Sequence, residues 1–487
     1  MPDWRETSSA GKAPCAGGAG GTELAQIDVT RRLASFAAEL SYETLPSDVV
    51  ERGRMFLLDG AAVMVGAARY ARENDDRMLV EYLNAVAPPD GPSTVVGHGI
   101  RTSPMMAAFA NGCMMEVLDY SDSNLGNLTH NGTPVLPAAL AAAEHAGASW
   151  GELCTAVIAG YEVHTRLLTT VQPGHWYRGF QSPGTFGTSG AATAAGRLLG
   201  LDAEGLAAAL GVSGFIMPVS NGDNEFRGHS VKPVHGGQGA TCGVSSAFLA
   251  RSGYRAGPLE GEPPRYHAAL HILSDGPDLE RALAGFGEKW HSRDVAFKPY
   301  PLGHFIVGPV EAVLDLLAEA PIEASEVEAV DIATYRAAVH GCGKKYSTPE
   351  SNYVDCHFSM PFCVAATLLE KEMTPRQLRN DFIASPEVHE LASRVMVTED
   401  PEMSARFPAE WPLEVVVRLR DGTVRTRRID KVKWSDTRPP AWEELREKFL
   451  MLVSPVLGEA AARSAVELIT NLEGDESIAP LMDLLRG

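Results

Sequence analysis

Residues 291–300, HSRDVAFKPY, lie where the pattern of the sequence changes, and this change decides the predicted fold. Polar and apolar residues alternate here as they do in a half-buried β-strand. From Leu24 to about Ser252 the chain instead predicts one helix after another, many of them rich in alanine. Small residues at spacings of three and four allow such helices to pack closely. We therefore expect helices alone before this stretch and strands from it onward.

The chain beyond residue 291 mixes helices with strands. A second strand is predicted in EVEAVDIATYRAAV, and LEVVVRLRDGTVRTRRIDKVKW predicts a hairpin in which Asp421-Gly422 supplies the turn. Helices return after Pro439-Pro440. The sequence therefore predicts a mainly α protein. Its parts are a disordered Gly-, Ala- and Ser-rich tail (residues 1–23), an all-helical domain that is discontinuous in sequence (24–291 and 436–487), and a smaller inserted α+β domain (292–435).

The composition narrows the class of protein and of partner. Lysine and arginine number 42 and aspartate and glutamate 62, so the formal net charge is −20. Nucleic-acid binding depends on neutralising phosphates, and this balance argues against it. No apolar run reaches the length of a membrane span. We expect a cytoplasmic protein, because no secretory signal is visible and the seven cysteines form neither a disulfide framework nor a metal or iron–sulfur motif.

Four polar clusters stand at breaks between the predicted elements. The first is LDYSDSNLGNLTHNGTPVLPAAL (118–140), which contains Asp119, Asp122, Ser123 and His130. A carboxylate and an imidazole are usual groups in acid–base catalysis. The same stretch also fits a solvated loop, and its spacing would suit metal ligands, although hard-metal sites usually have a denser set of carboxylates. The residues alone leave these interpretations open.

The other three clusters add cationic and imidazole side chains. Gln181 lies in HWYRGFQSPGTFG, just before a predicted helix, and the N–H groups of a helix N-terminus attract carboxylates. Lys232 and His235 lie in RGHSVKPVHGGQGA, three residues apart and therefore on one side of a helical turn. Lys298 and His304 lie in FKPYPLGHFIVGPVEA, where a strand ends and a helix begins, a common location for binding sites.

These clusters, in this order, resemble the MmgE/PrpD family. Each of five stretches is similar to a motif of that family: LDYSDSN…THNGTPVLPAALAAAE, RGFQSPGTFGTSGAATAAGRLLGL, SVKPVHGGQGA, WHSRDVAFKPYPLGHF and DCHFSMPFCVAATLL. The similarity extends over about residues 27–485. The family includes 2-methylcitrate dehydratases, cis-aconitate decarboxylases and an iminodisuccinate epimerase. The resemblance implies a helical domain with an α+β lid, a homodimer, and an enzyme that needs neither a metal ion nor another cofactor.

The resemblance also implies the residues of the site. The candidate catalytic groups are Asp119, His130, Lys232 and His304. The candidates for substrate binding are Ser123, Gln181, His235, Lys298 and Tyr346. Two positions depart from the family pattern, because Gln181 stands where the family usually has a histidine and Asn131 stands where it has a proline. An amide only forms hydrogen bonds, whereas the imidazole that it replaces can transfer a proton.

The motifs and the resemblance predict a cofactor-independent lyase that acts on a small polycarboxylate. We expect a dehydratase of a citrate- or 2-methylcitrate-like acid, with a place in a biosynthetic pathway. Three alternatives remain open: a cis-aconitate-type decarboxylase, an epimerase or isomerase of a dicarboxylate, and a homologue that binds polycarboxylates without catalysis. His130 is the preferred base or acid, with Asp119 fixing its tautomer or binding a substrate hydroxyl. Gln181 counts against the decarboxylase, because the family's histidine is missing there.

Overall fold

The computed structural model describes residues 28–262, 267–344 and 346–487 of the chain. The predicted disordered tail over residues 1–23 lies outside the described residues. Within them the protein is mainly α-helical, as the sequence predicts. None of the helices in these ranges combines the length and the apolar composition that a membrane crossing requires.

Packed helices dominate the chain up to residue 272. In chain order they are α1 (Val29–Glu39), α2 (Ser47–Glu73), α3 (Met78–Val86), α4 (Pro104–Val117), α5 (Gly132–Ala146), α6 (Trp150–Val171), α7 (Gly174–Tyr177), α8 (Phe186–Leu198), α9 (Ala203–Ile216), α10 (Asp223–Phe226), α11 (Val234–Arg251) and α12 (Ala269–Ile272). Helix α4 begins as predicted, because the side chain of Ser103 accepts from the backbone N–H of Met106 and Pro104 occupies the first turn. Helices α2 and α6 are the longest and are buried along most of their length.

Short strands interrupt these helices, so the prediction of helices alone before residue 291 is wrong. The strands are β1 (Ser93–Val95), β2 (Ile100–Thr102), β3 (Ser123–Asn124) and β4 (Val295–Ala296). Strand β1 pairs with β2 and β3 pairs with β4, both antiparallel. The strand predicted over residues 291–300 is therefore reduced to β4, because β3 offers only two residues for pairing and prolines follow at 299 and 301.

The chain from residue 304 to 429 builds a four-stranded sheet with helices against it. Its elements are α13 (His304–Glu319), β5 (Val327–Thr334), α14 (Arg336–Ala338), α15 (Tyr353–His357), α16 (Met360–Glu370), α17 (Asn380–Ile383), α18 (Pro386–Ala392), β6 (Val395–Glu399), α19 (Pro401–Arg406), β7 (Leu413–Leu419) and β8 (Val424–Ile429). The strand order is β6-β5-β7-β8, with β5 and β6 parallel and the other pairs antiparallel. Alternate residues of β7, such as Val415 and Val417, are buried on the side of α13.

The predicted hairpin is confirmed in β7 and β8. Their connection contains Asp421 and Gly422, and the φ of +89° at Gly422 is a left-handed conformation that glycine adopts without strain. After it, the chain returns to helices: α20 (Trp442–Leu457), α21 (Glu459–Asn471) and α22 (Ala479–Arg486). Helix α20 packs along α2, so the last part of the chain lies against the first. The predicted boundaries of the two domains stay a prediction.

Helices α4 and α11 approach closely enough to bring polar side chains together. A Cβ added at Gly112 of α4 would lie 2.8 Å from the backbone oxygen of Gly236 of α11, a distance that a real side chain does not tolerate. Glycine therefore permits the close packing expected of the small residues in this stretch. As a consequence, Glu116 on α4 lies beside Lys232 and His235 at the start of α11.

Candidate active site

Asp119 is the centre of the candidate site. It follows α4 in the left-handed conformation, with a φ of +47°, and its carboxylate is buried. Lys232 donates to Oδ1 and Lys298 donates to Oδ2, each over 2.6 Å. Lys298 also donates to the backbone oxygen of Asp119 over 2.8 Å. Two lysines from separate sequence clusters therefore meet on one carboxylate.

Glu116 supplies a second buried carboxylate, which the motifs did not single out. Its Oε2 lies 2.5 Å from Nζ of Lys232, and its Oε1 lies 3.2 Å from Nε2 of His235. Burial by itself raises the pKa of a carboxyl group, but the charge of Lys232 holds the pKa of Glu116 well below the usual range, and the charges of Lys232 and Lys298 do the same for Asp119. Both acids are therefore ionised. The position of Glu116 one helical turn before Asp119 is the sequence signal that could have found it.

His130 lies in the loop between β3 and α5 and is held through one ring nitrogen. Its Nδ1 lies 2.8 Å from the backbone oxygen of Asp122 and 3.1 Å from Oγ of Ser123. Because a carbonyl oxygen only accepts, we assign the proton to Nδ1, which leaves Nε2 as the basic nitrogen. The backbone of Asp122, rather than the carboxylate of Asp119, therefore fixes the tautomer. Burial and the positive charge of Lys298 lower the pKa of His130 to about 4. The ring is therefore neutral at neutral pH and can accept a proton.

Asp122 fixes the loop that carries His130. Its carboxylate accepts from the backbone N–H of Gly132 over 2.8 Å and from the hydroxyl of Tyr161 over 2.6 Å. Gly132 begins α5, so this carboxylate also lies at a helix N-terminus, where negative charge is favoured. Burial nevertheless raises the pKa of Asp122 to about 6. We interpret Asp122 as a positioning residue, because its side chain holds the backbone whose oxygen orients His130.

His304 is a second imidazole at the site and opens α13. Within the described part of the chain, neither of its ring nitrogens has a hydrogen-bond partner, although both are buried. Its ring packs edge-on against Trp411, with 5.5 Å between the centroids. Burial and the charge of Lys298 hold the pKa of His304 well below its usual range. A buried polar group without a partner costs free energy, so His304 is a good candidate to bind a ligand.

One cavity of about 60 Å³ joins these groups. A cavity of this size holds a few water molecules or part of a small ligand. Its polar lining consists of Asp119, Ser123, Asn124, Thr129, His130, Gln181 and His304. Gln181 is placed there by the segment between α7 and α8, where its backbone N–H donates to the backbone oxygen of Ser220 over 2.9 Å.

The structure brings most of the predicted site residues together. The predicted residues that line the cavity are Asp119, Ser123, His130, Gln181 and His304. Lys232 and Lys298 contact Asp119 without lining the cavity, and their side chains are 1% and 0% exposed. His235 faces Glu116 at the far side of Lys232. Residues from all four sequence clusters therefore lie close together in the structure.

Tyr346 lies elsewhere. Its hydroxyl donates to the backbone oxygen of Val395, at the start of β6, over 3.3 Å, and its side chain is exposed. It is not among the residues that line the cavity. Its assignment to substrate binding stays a prediction.

Lys448 is a buried cation that the sequence analysis missed. From α20, its Nζ donates to Oδ1 of Asp59 over 2.7 Å, to the backbone oxygen of Tyr120 over 2.9 Å and to that of Lys298 over 3.0 Å. It therefore holds the backbone on both sides of the contact between Asp119 and Lys298. No sequence signal marks it, because a lysine in an amphipathic helix ordinarily faces solvent.

The arrangement is that of an acid–base site. In the ranges that the structure describes, no group of three or more histidine, cysteine, aspartate or glutamate side chains is placed to hold a metal ion. The cavity offers two neutral imidazoles, two hydroxyls, two amides and an ionised carboxylate that contacts two ammonium groups. Such groups can bind a small acid and transfer protons to and from it.

The fold and the site define a mainly α protein with a buried acid–base centre. Residues 31–278 match the MmgE/PrpD N-terminal domain, and residues 300–474 match the MmgE/PrpD C-terminal domain. The chain belongs to the MmgE/PrpD family, which is a family of enzymes, and the resemblance inferred from the motifs is confirmed.

Several relatives are similar to nearly the whole chain. The cis-aconitate decarboxylase of Aspergillus terreus is 26% identical over 483 residues, which cover 95% of this chain and 96% of that protein. The cis-aconitate decarboxylase of Homo sapiens is 27% identical over 473 residues, with 94% and 95% covered. The cis-aconitate decarboxylase-like protein oryM of Aspergillus oryzae is 24% identical over 487 residues, with 94% and 98% covered. These relatives support a lyase-type family.

Proposed function

We propose that this protein is a lyase that dehydrates a small hydroxy acid of the citrate or 2-methylcitrate type. The observation that carries the proposal is the pair His130 and His304, whose neutral imidazoles border one cavity beside the ionised Asp119. Dehydration begins when a base removes a proton from the carbon next to a carboxylate. An imidazole that is unprotonated at neutral pH is ready to act as that base.

The two imidazoles can carry out both proton transfers that the dehydration needs. Nε2 of His130 takes the proton from carbon, the electron pair of the C–H bond forms the double bond, and the C–O bond breaks. His304 takes a proton from solvent when the acid binds, because a nearby carboxylate favours its charged form. It then gives this proton to the departing hydroxyl, which leaves as water. Exchange with solvent restores His130 to its neutral state.

In this proposal the two lysines act through Asp119. Lys232 and Lys298 contact Asp119, and their side chains are almost fully buried. We propose that they keep Asp119 ionised and hold its carboxylate in place. Asp119 and Ser123 would bind the substrate hydroxyl, and Gln181 would donate to a carboxylate.

Decarboxylation is the second candidate, and the relatives favour it. Two of the similar proteins quoted above are cis-aconitate decarboxylases. That reaction needs a proton delivered to carbon after carbon dioxide leaves, and the family's histidine that could deliver it is replaced here by Gln181. Gln181 cannot provide this proton, since an amide does not ionise in the range of pH where enzymes act. We therefore place decarboxylation after dehydration.

Proton NMR in D₂O distinguishes these reactions directly. The purified protein is incubated with citrate, 2-methylcitrate, cis-aconitate and substituted maleates. New vinyl signals from a hydroxy acid, or the loss of vinyl signals by hydration, support a dehydratase. Loss of a carboxyl group would instead show a decarboxylase, and entry of deuterium without net change would show an isomerase or epimerase. If no acid of the panel reacts or binds, the proposed function is wrong.

The role of His130 has its own test. His130→Ala should lower kcat at least about 10²-fold, because one positioned acid–base group typically contributes that much. His145→Ala is the matched control, since His145 is an exposed imidazole on α5 outside the cavity. Near-normal turnover in His130→Ala would refute the assignment. Circular dichroism of both variants would show that the fold is retained.

We also propose that the protein is a homodimer and needs no added cofactor, as the family resemblance implies. Light scattering coupled to size-exclusion chromatography would give twice the chain mass of 52.1 kDa for a dimer. Activity that survives dialysis against a chelator would support independence from a metal ion. A mass of one chain, or activity lost and then restored by a metal ion, would contradict these two statements.

A further inference from the structure

One wall of the cavity is apolar and aromatic. It consists of Leu125, Leu128, Trp176, Phe305, Phe358 and Trp411. The rings of Phe305 and Trp411 stack with 5.3 Å between their centroids, and the ring of Phe358 lies 5.5 Å from Nζ of Lys232. Each of these side chains could have been polar in a site built for a highly charged molecule. Apolar lining instead favours a ligand that buries hydrocarbon.

The buried cluster around Asp119 carries charges that cancel. The carboxylates of Glu116 and Asp119 face the ammonium groups of Lys232 and Lys298, so this cluster has no net formal charge. Both ammonium groups are buried and engaged with these carboxylates. Among the described residues that line the cavity, none is a lysine or an arginine. A carboxylate that enters therefore finds hydrogen-bond donors but no uncompensated cation.

This charge balance limits the number of carboxylates that can bind. Transfer of an ionised carboxylate into a buried site is costly unless an opposite charge or several hydrogen bonds compensate it. In the described lining, His304 can gain a proton as a carboxylate arrives, and the amide of Gln181 can donate hydrogen bonds to a second carboxylate, while His130 stays neutral to act as the base. A third carboxylate would meet the apolar wall.

We propose that the substrate is a citrate-like hydroxy acid in which an apolar arm replaces one of the three carboxylates, so that it is a dicarboxylic acid. The two carboxylates lie toward His304 and Gln181, and the arm lies against Trp176, Phe305 and Trp411. This inference rests on the proposed function, because it assigns the substrate class of the same acid–base cavity. It also makes a statement about binding alone, which can be tested without turnover.

The test uses two unreactive acids of equal size. Tricarballylate is succinate with a carboxymethyl arm, and isobutylsuccinate is succinate with an arm of the same shape and no charge. Isothermal titration calorimetry of the full chain should give a Kd for isobutylsuccinate at least about tenfold below that for tricarballylate, since burying a hydrocarbon arm is worth about this factor or more. Equal affinities, or tighter binding of tricarballylate, would overturn the proposal.

A pair of variants on α7 locates the selectivity. Trp176→Ala should reduce the preference for isobutylsuccinate about fivefold or more and leave the affinity for succinate itself nearly unchanged. Tyr177→Ala is the control, because Tyr177 is the exposed neighbour of Trp176 and does not line this cavity. An unaltered preference in Trp176→Ala would place the arm elsewhere and refute the proposed orientation.

The outcomes separate this inference from the proposed function. If the protein dehydrates a hydroxy acid but binds tricarballylate more tightly, the lyase stands and the substrate class is wrong. If isobutylsuccinate is preferred but no acid turns over, the inference on binding stands and the dehydratase is wrong. If none of the three acids binds, both are wrong.

Discussion

Burial and the charge of Lys298 set the pH at which His130 can act as a base. The two effects act in the same direction, because each disfavours the imidazolium form, and together they bring the pKa to about 4 from a usual value of 6.5. The ring is neutral above the lowered value and protonated below it. We therefore expect the fall of kcat/KM that His130 causes on the acidic side to be centred near pH 4.

The measurement is the pH profile of kcat/KM, which reports groups of the free enzyme. A fall centred near 6.5 would mean that the imidazole is far more exposed than it is here, or that another group is the base. The fold must survive these pH values for the profile to be valid, so the far-ultraviolet circular dichroism is followed over the same range.

Gln181 is a residue whose contribution we expect in binding rather than in proton transfer. Gln181→Leu keeps the approximate size of the side chain and removes its hydrogen bonds. A hydrogen bond contributes about 0.5–1.5 kcal/mol net, so KM should rise about two- to tenfold while kcat changes little. The same steady-state assay reports both constants. A loss of 100-fold or so in kcat with unchanged KM would instead make Gln181 a group that acts in the transition state.

Between elements, α20 makes a buried ionic contact with α2. Lys448 and Asp59 form an ion pair in which both side chains are 2% exposed. Removal of one partner from a buried pair leaves a charge without compensation, which typically costs about 3–5 kcal/mol. We expect Lys448→Met to lower the free energy of unfolding by about this amount, as measured by urea denaturation.

A control on the same helix tests whether burial is the cause. Arg446→Met removes a cation that is 40% exposed, and its ion pair with Glu443 should contribute at most about 1 kcal/mol. The double variant Asp59→Asn with Lys448→Met should be more stable than Lys448→Met alone, because no charge is left unpaired. Equal losses in the Arg446 and Lys448 variants would contradict this account.

The helices and strands could be predicted where a local pattern determines them. Ser103 and Pro104 start α4 through capping geometry that four residues contain, and Gly422 supplies a turn that needs a positive φ. The strand over residues 291–300 could not be predicted correctly, because its length depends on β3, a partner more than 150 residues away that offers two residues for pairing.

In the candidate site, too, features set by the local sequence could be predicted and features set by distant contacts could not. His130, Lys232 and Lys298 could be found, because each stands in a motif at the end of an element. The contact of both lysines with Asp119 could not be found, since it depends on how α4 and α11 pack and on where β4 ends. The burial of Lys448 could not be predicted either, because it results from the packing of α20 and no local sequence pattern indicates it.

The molecule as a whole has a net charge of the same sign as its proposed ligand. The formal net charge of −20 creates a field that repels an anionic acid before it reaches the cavity. Salt screens this field, and the Debye length falls from about 30 Å at 0.01 M to about 10 Å at 0.1 M. The charges of the cavity itself are buried, and salt screens them much less.

Salt should therefore accelerate the binding of an anionic acid. We expect the association rate constant of isobutylsuccinate, measured by stopped-flow fluorescence of the cavity tryptophans, to rise severalfold between about 10 and 100 mM sodium chloride. The dissociation rate constant should change less, because it depends on contacts within the buried cavity. Proteins that attract their ligands by charge show the opposite trend. An association rate constant that falls with salt would mean that a cationic path leads to the cavity despite the acidic whole, and that the local field, rather than the net charge, governs the encounter.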